Sequence, residues 1–66
     1  MGIIKFNKHI YNLEAINQAI KEFKNLAEFS IKETNDFFEI KLDNINGEVK
    51  EIIKDEFANY VLGLMG

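Results

Sequence analysis

His9 is the only histidine of the chain, and histidine is the side chain that most often transfers protons in catalysis. Catalysis at His9 would also need a nucleophile, or a carboxylate that orients the imidazole, and neither lies close to it in the sequence. The sequence therefore predicts a surface or capping role for His9 and no catalytic residue.

The stretch from Leu42 to Ile53 has part of the spacing of a calcium-binding loop. Asn44, Asn46 and Gly47 stand at its third, fifth and sixth positions. The motif requires Asp at its first position and Glu at its twelfth, where this chain has Leu42 and Ile53. We therefore expect a turn that leads into a helix here, with no bound metal.

Acidic residues cluster near the second predicted helix, where Asp55 and Glu56 are adjacent and Lys50 and Lys54 lie among them. General acid–base chemistry needs carboxylates that converge in a cleft. Mixed charges along one side of a helix are typical of a solvated surface. An enzyme is thus the least favoured class of function, and we expect no cofactor.

The amino-acid composition excludes further classes of function. The 66 residues contain no Cys, and the eight basic residues, all Lys, are outnumbered by eleven acidic ones, which gives a net charge of −3. These features exclude disulfides and thiolate metal sites, and they indicate no nucleic-acid partner. The chain also has no apolar run long enough for a signal peptide or a membrane span, so we expect a cytoplasmic protein without membrane contact.

A chain of this length predicts one domain, residues 1–66, close to the lower size limit for a stable fold. Its first strand is predicted over 3–7, with Ile4 and Phe6 on one face and Ile3 and Lys5 on the other. Asn12 is a good N-cap for a first helix over 13–26. Its apolar stripe contains Leu13, Ile16, Ala19, Ile20, Phe23 and Leu26.

A two-residue turn at Asn35 and Asp36 predicts a β-hairpin, because every residue pair that it creates makes chemical sense. The predicted pairs are Thr34 with Phe37, Lys32 with Glu39, Ile31 with Ile40, and Phe29 with Leu42. One face of the hairpin is then apolar, while the other is mainly polar and also carries Phe37.

Asn46 is predicted to cap a second helix over 48–64. Its predicted buried stripe consists of Val49, Ile53, Phe57, Tyr60, Val61 and Leu64. The order of elements is then β-α-β-β-α, which predicts an α+β fold with two layers: a three-stranded sheet with both helices on one face. The other face of the sheet would lack cover.

The predicted elements leave more apolar surface than one core needs. Leu62, Met65 and Ala58 lie away from the buried stripe of the second helix, and Phe37 and Ile3 lie on the uncovered face of the sheet. We interpret these five residues as candidate interface positions. Fraying of a free chain terminus is the alternative explanation for Leu62 and Met65.

The segment Glu56 to Leu62, taken with Tyr11 to Ile16, resembles the HxsD family of the His-Xaa-Ser peptide systems. Tyr60 and Leu62 match the family's late motif, Leu-Leu-Asn-Asp-Tyr-x-Leu-Arg-Glu, and Asn59 stands in place of its Asp. The sequence departs from the motif at Ala58, Gly63 and Leu64. The aromatic-x-Leu-Glu-Ala start of the first helix and the Phe-x-Ile strand are also similar.

This resemblance implies a small protein that works with radical S-adenosylmethionine enzymes on a peptide containing His-Xaa-Ser repeats, and it implies no catalytic residue. Together with the excess apolar surface, it favours a non-enzymatic accessory or adaptor domain that binds a peptide or a maturation enzyme. A structural homodimer is the second hypothesis, because association with another copy is a common reinforcement for a domain of this size.

Overall fold

The computed structural model describes residues 2–65 and confirms the α+β fold. Its elements, in chain order, are β1 (Gly2–Asn7), α1 (Leu13–Phe23), β2 (Glu28–Glu33), β3 (Phe37–Asp43) and α2 (Ile53–Met65). The strands form one sheet, and both helices contribute buried residues to one core on the same side of it. The two-layer arrangement expected from the order of elements is therefore correct.

The strands lie in the order β1-β3-β2, and β3 is antiparallel to both of its neighbours. As a result, β1 and β2 run parallel, and α1 connects them past β3 in a split β-α-β unit. The predicted hairpin register is confirmed, because Ile31 faces Ile40 and Phe29 faces Leu42. The Thr34 amide donates to the Phe37 carbonyl at 2.8 Å and closes the hairpin turn.

Phe57 of α2 is the centre of the core, with none of its surface exposed. Its ring stacks on Phe29 with centroids 5.0 Å apart, meets Phe23 edge-on at 5.4 Å, and lies 6.1 Å from Phe6. Phe57 thus joins both helices to β1 and β2. The other buried residues are Phe6, Ala15, Ile16, Ala19, Ala27, Phe38, Ile40, Leu42, Ile53 and Val61.

The first helix begins as predicted but ends three residues earlier than expected. The Asn12 side-chain oxygen accepts a hydrogen bond from the Ala15 amide at 2.7 Å, which confirms Asn12 as the N-cap. At the other end, the Leu26 amide donates to the Phe23 carbonyl at 2.9 Å in a tight turn. The Leu26 carbonyl then accepts from the Asn46 amide at 2.7 Å, and this bond to a distant segment fixes the chain leaving the helix.

Replacing the cap residue should measure how much this bond contributes. We expect Asn12→Ala to lower the free energy of unfolding by about 1 kcal/mol, because the Ala15 amide loses its acceptor. Asn17→Ala is the matched control in the same helix. Asn17 is exposed, and alanine has the higher helix propensity, so this variant should be no less stable than wild type. Urea denaturation of both proteins tests the difference, and equal losses would contradict a capping role.

The second helix begins at Ile53 and not at residue 48, which corrects the predicted start. The Asn46 side chain does accept from the Glu48 amide at 2.9 Å, but it caps a turn. The Val49 amide then bonds the Asn46 carbonyl, and the Ile52 amide bonds the Val49 carbonyl. These bonds span three residues, as in tight turns, whereas an α-helix uses four. The segment 47–52 is therefore a series of turns.

The buried stripe of α2 is also narrower than predicted. Ile53, Phe57 and Val61, spaced four residues apart, are fully buried, but Tyr60 is 36% exposed and Leu64 is 39% exposed. Both lie on one side of the buried line, because each residue turns the helix by about 100°. Phe23 of α1 contacts this side, with its ring centroid 5.5 Å from that of Tyr60. Tyr60 thus has a half-covered ring instead of a core position.

Candidate functional site

His9 and Asn44, two of the residues that suggested chemistry, lie in the segments that follow β1 and β3. His9 is exposed in the turn after β1, where its amide donates to the Asn7 side chain at 2.8 Å. Asn44 adopts a left-handed backbone with φ of 49°, as expected of a turn. Residues 2–65 contain no group of three or more His, Asp or Glu side chains that could hold a metal ion.

The five predicted interface residues lie on two different surfaces. Ile3 is 52% exposed and Leu62 is 55% exposed, as expected of surface positions. Phe37 is half-buried on the face of the sheet opposite the helices, where the Lys5 ammonium lies 5.7 Å from its ring centroid. Ala58 and Met65 were expected to lie away from the buried stripe, Met65 to its side and Ala58 on the outward surface, but both are partly buried against the core. The role of the five residues in an interface stays a prediction.

The two sides of α2 face different elements of the fold. The Tyr60 side of α2 faces α1 through Phe23, and the opposite side faces β1. Lys54 marks this opposite side, because its Cδ lies 3.1 Å from the point where a Cβ on Gly2 would be. Helical spacing places three apolar residues on the same side as Lys54. We call them the α2 flank: Ala58, Leu62 and Met65.

Beside the α2 flank lies the edge of β1 that faces away from β3, which we call the outer edge of β1. The Lys8 amide donates to the Asp36 carbonyl at 2.9 Å, in register with the β1–β3 ladder. Hydrogen-bonding direction alternates along an antiparallel strand. Phe6, Ile4 and Gly2 therefore direct their backbone groups towards β3, while Ile3, Lys5 and Asn7 direct theirs towards the outer edge.

Two residues of this edge remain available for pairing. The Asn7 carbonyl accepts from the amides of Ile10 and Tyr11, so the following turn uses it. Ile3 and Lys5 present their N–H and C=O groups outward, and no strand within residues 2–65 pairs with them. The outer edge of β1 is therefore a short template for one further strand.

The two edges of the sheet differ in how well they are protected against pairing. In β2, Glu28, Lys32 and Glu33 are charged and exposed, and Glu33 forms an ion pair with Lys8. Charged side chains of this kind discourage strand addition at an edge. In β1 the only charged residue is Lys5. The outer edge of β1 is thus the more receptive of the two.

Two further features of the described surface are open grooves. One, of about 330 Å³, crosses the face of the sheet opposite the helices and is lined by Ile3, Ser30, Ile31, Lys32, Glu39 and Lys41. The other, of about 300 Å³, lies between the end of α1 and the start of α2 and is lined by Phe23, Leu26, Val49, Ile52, Ile53 and Glu56. The sequence did not indicate Ile52 as an exposed apolar residue, because the periodicity predicted a helix where the structure has turns.

The outward backbone groups of Ile3 and Lys5 could not be predicted from the sequence, since no side-chain pattern shows which way a strand's amides point.

The fold defines a small two-layer α+β domain built on a split β-α-β unit. Comparison with protein-family models, with curated proteins and with solved structures gives no match. No helix within residues 2–65 has both the length and the apolar character needed to cross a membrane.

Proposed function

We propose that this protein is a non-enzymatic accessory or adaptor domain that binds an extended segment of a partner polypeptide along the outer edge of β1. The supporting observation is the outward direction of the Ile3 and Lys5 backbone groups beside the apolar α2 flank. Adding a strand to an exposed edge is a recurring way for small domains to bind peptides.

The chemistry of the edge indicates what kind of segment fits it. A strand paired with Ile3 and Lys5 gains as many as four backbone hydrogen bonds, each worth about 0.5–1.5 kcal/mol net. Its side chains would point alternately to the two faces of the sheet. Those on the helix side would meet Ile4 and the α2 flank, which favours apolar residues.

On the opposite face, the incoming strand would lie beside Lys5, and Lys32 and Lys41 are exposed on the same face. Glu28, Glu39 and Asp43 are the acidic residues on this face, and Glu39 is opposite Lys5 in the β1–β3 register. The three lysines and the three carboxylates balance, so this face is less acidic than the chain as a whole, whose net charge is −3. We expect the bound segment to alternate apolar residues with polar ones.

Amide hydrogen exchange on the bound and unbound protein tests this function. Polypeptides captured from the native host are identified, and a synthetic segment of each is titrated into the purified domain. In protein dilute enough to be monomeric, we expect the amides of Ile3 and Lys5 to exchange more slowly when the segment is bound, while the Ile31 amide on the other edge is unchanged. Binding without protection of β1, or the absence of any partner other than the protein itself, would contradict the assignment.

The pathway remains a separate prediction that follows from the resemblance to the HxsD family. This resemblance implies a partner that is a peptide with His-Xaa-Ser repeats or its radical S-adenosylmethionine maturation enzyme. The cytoplasmic location, expected from the lack of a long apolar run, is a further prediction. The neighbouring genes test the pathway directly. A neighbourhood without a radical S-adenosylmethionine enzyme would remove the pathway and leave strand binding to be judged by hydrogen exchange.

A further inference from the structure

We propose that β1 also pairs with β1 of a second copy of the chain, antiparallel and about a two-fold axis at Ile4, so that two sheets join into one of six strands. This pairing would cover the same edge that binds a partner segment, so the dimer and the complex exclude each other. The exclusion rests on the proposed function, whereas the self-pairing depends only on the geometry of β1.

The hydrogen-bonding direction of β1 selects one register. Residues that face each other across antiparallel strands point to the same side of the sheet, so a symmetric pairing is centred on a residue. Centring on Lys5 places two ammonium groups opposite each other, which is unfavourable. Centring on Ile3 uses only one of the two residues with outward backbone groups. Centring on Ile4 matches Ile3 with Lys5 of the second copy twice, and all four outward N–H and C=O pairs are used.

The layer of helices supports the same arrangement. A two-fold axis at Ile4 runs perpendicular to the joined sheet, so both copies of α2 lie on one side of it. Because the α2 flank faces β1, the two flanks then approach each other across the axis. Ala58 is small enough to allow a close approach, and the exposed Leu62 would become covered. This contact uses the apolar surface that a monomer leaves in water.

Single cysteines report the register, because the chain has no cysteine of its own. In the pairing centred on Ile4, the two Ile4 Cα atoms form a non-hydrogen-bonded pair about 4.5 Å apart, which a disulfide can bridge. Ile3→Cys and Lys5→Cys are matched controls that would crosslink in the other two registers. We expect Ile4→Cys to form a disulfide dimer about tenfold faster than either control.

Sedimentation of the wild-type protein at micromolar concentration accompanies the crosslinking. A dimer with rapid Ile4→Cys crosslinking supports the self-pairing. A clean monomer, or faster crosslinking of Ile3→Cys or Lys5→Cys, overturns it. If the protein is monomeric but binds the captured segment, the self-pairing fails and the proposed function stands. If the protein is dimeric but has no other partner, the proposed function fails and the self-pairing stands.

A separate experiment tests whether the dimer and a bound segment compete for the outer edge of β1. Its probe is a synthetic peptide with the sequence of β1, Gly2–Asn7. The reduced Ile4→Cys protein should bind this peptide, and the oxidised dimer should not, because its edges are already paired. Reduction of the dimer should restore binding. Equal binding to both forms would show that the peptide uses another surface and would overturn the shared edge.

Discussion

Phe57→Ala should lower the free energy of unfolding by about 3–5 kcal/mol, the largest effect on stability that we expect in this chain. Phe57 is fully buried and touches aromatic rings from α1, β1 and β2, so its removal leaves a cavity that three elements would have to move to fill. A domain of this size has only about 3–10 kcal/mol of stability in total. The variant should therefore be largely unfolded at low denaturant.

Phe37→Ala is the matched control, because it removes the same side chain from the opposite face of the sheet. Phe37 is half-buried, and its specific contact is with the Lys5 ammonium, so we expect a loss of about 1 kcal/mol. Urea denaturation of both variants at low protein concentration separates core packing from any contribution of association. Similar losses for the two variants would contradict the central position of Phe57.

The hairpin could be predicted from sequence because its information is local. The turn at Asn35 and Asp36 is two residues long, and this length fixes which residue of β2 faces which residue of β3. The N-cap at Asn12 was predictable for the same reason, since a cap and its first turn lie within four residues. Side-chain chemistry over short distances therefore determined these features before any tertiary contact was considered.

Features that depend on distant contacts could not be predicted in the same way. The helical periodicity continues through 47–52, but the bond from the Asn46 amide to the Leu26 carbonyl holds the start of that segment beside the end of α1. Met65 continues the four-residue spacing of Ile53, Phe57 and Val61, whereas Ala58 lies beside it, and both are partly covered by the core. Periodicity describes one helix, whereas burial depends on the surfaces on either side of it.

The candidate site depends even more on contacts between segments that are distant in the sequence. The sequence indicated Ile3, Phe37, Ala58, Leu62 and Met65 as apolar surplus, and the last three lie on α2, whose Lys54 side chain contacts the region of Gly2 at the start of β1. The direction of the β1 amides follows from the β1–β3 register, which no local pattern specifies. An edge available for pairing is a property of three strands arranged in space, so side-chain types alone do not reveal it.

Lys5→Pro should weaken partner binding by about 10-fold and self-pairing by about 100-fold. Proline has no N–H, so one hydrogen bond of about 1.5 kcal/mol is lost with a partner segment and two are lost in the symmetric pairing, and each 1.4 kcal/mol is about tenfold in affinity. The Lys5 amide points away from β3, so the fold itself loses no hydrogen bond of the ladder. Proline is tolerated at such edge positions, and circular dichroism should show a folded protein.

Ile31→Pro is the matched control on the other edge of the sheet. The Thr34–Phe37 bond fixes the alternation along β2, and by that alternation the Ile31 amide also points away from β3. Sedimentation and titration with the captured segment should give wild-type values for Ile31→Pro and large losses for Lys5→Pro. If both variants bind equally well, the outer edge of β1 is not the site. If only Ile31→Pro loses binding, the partner pairs with β2, and the charged residues on that edge do not protect it.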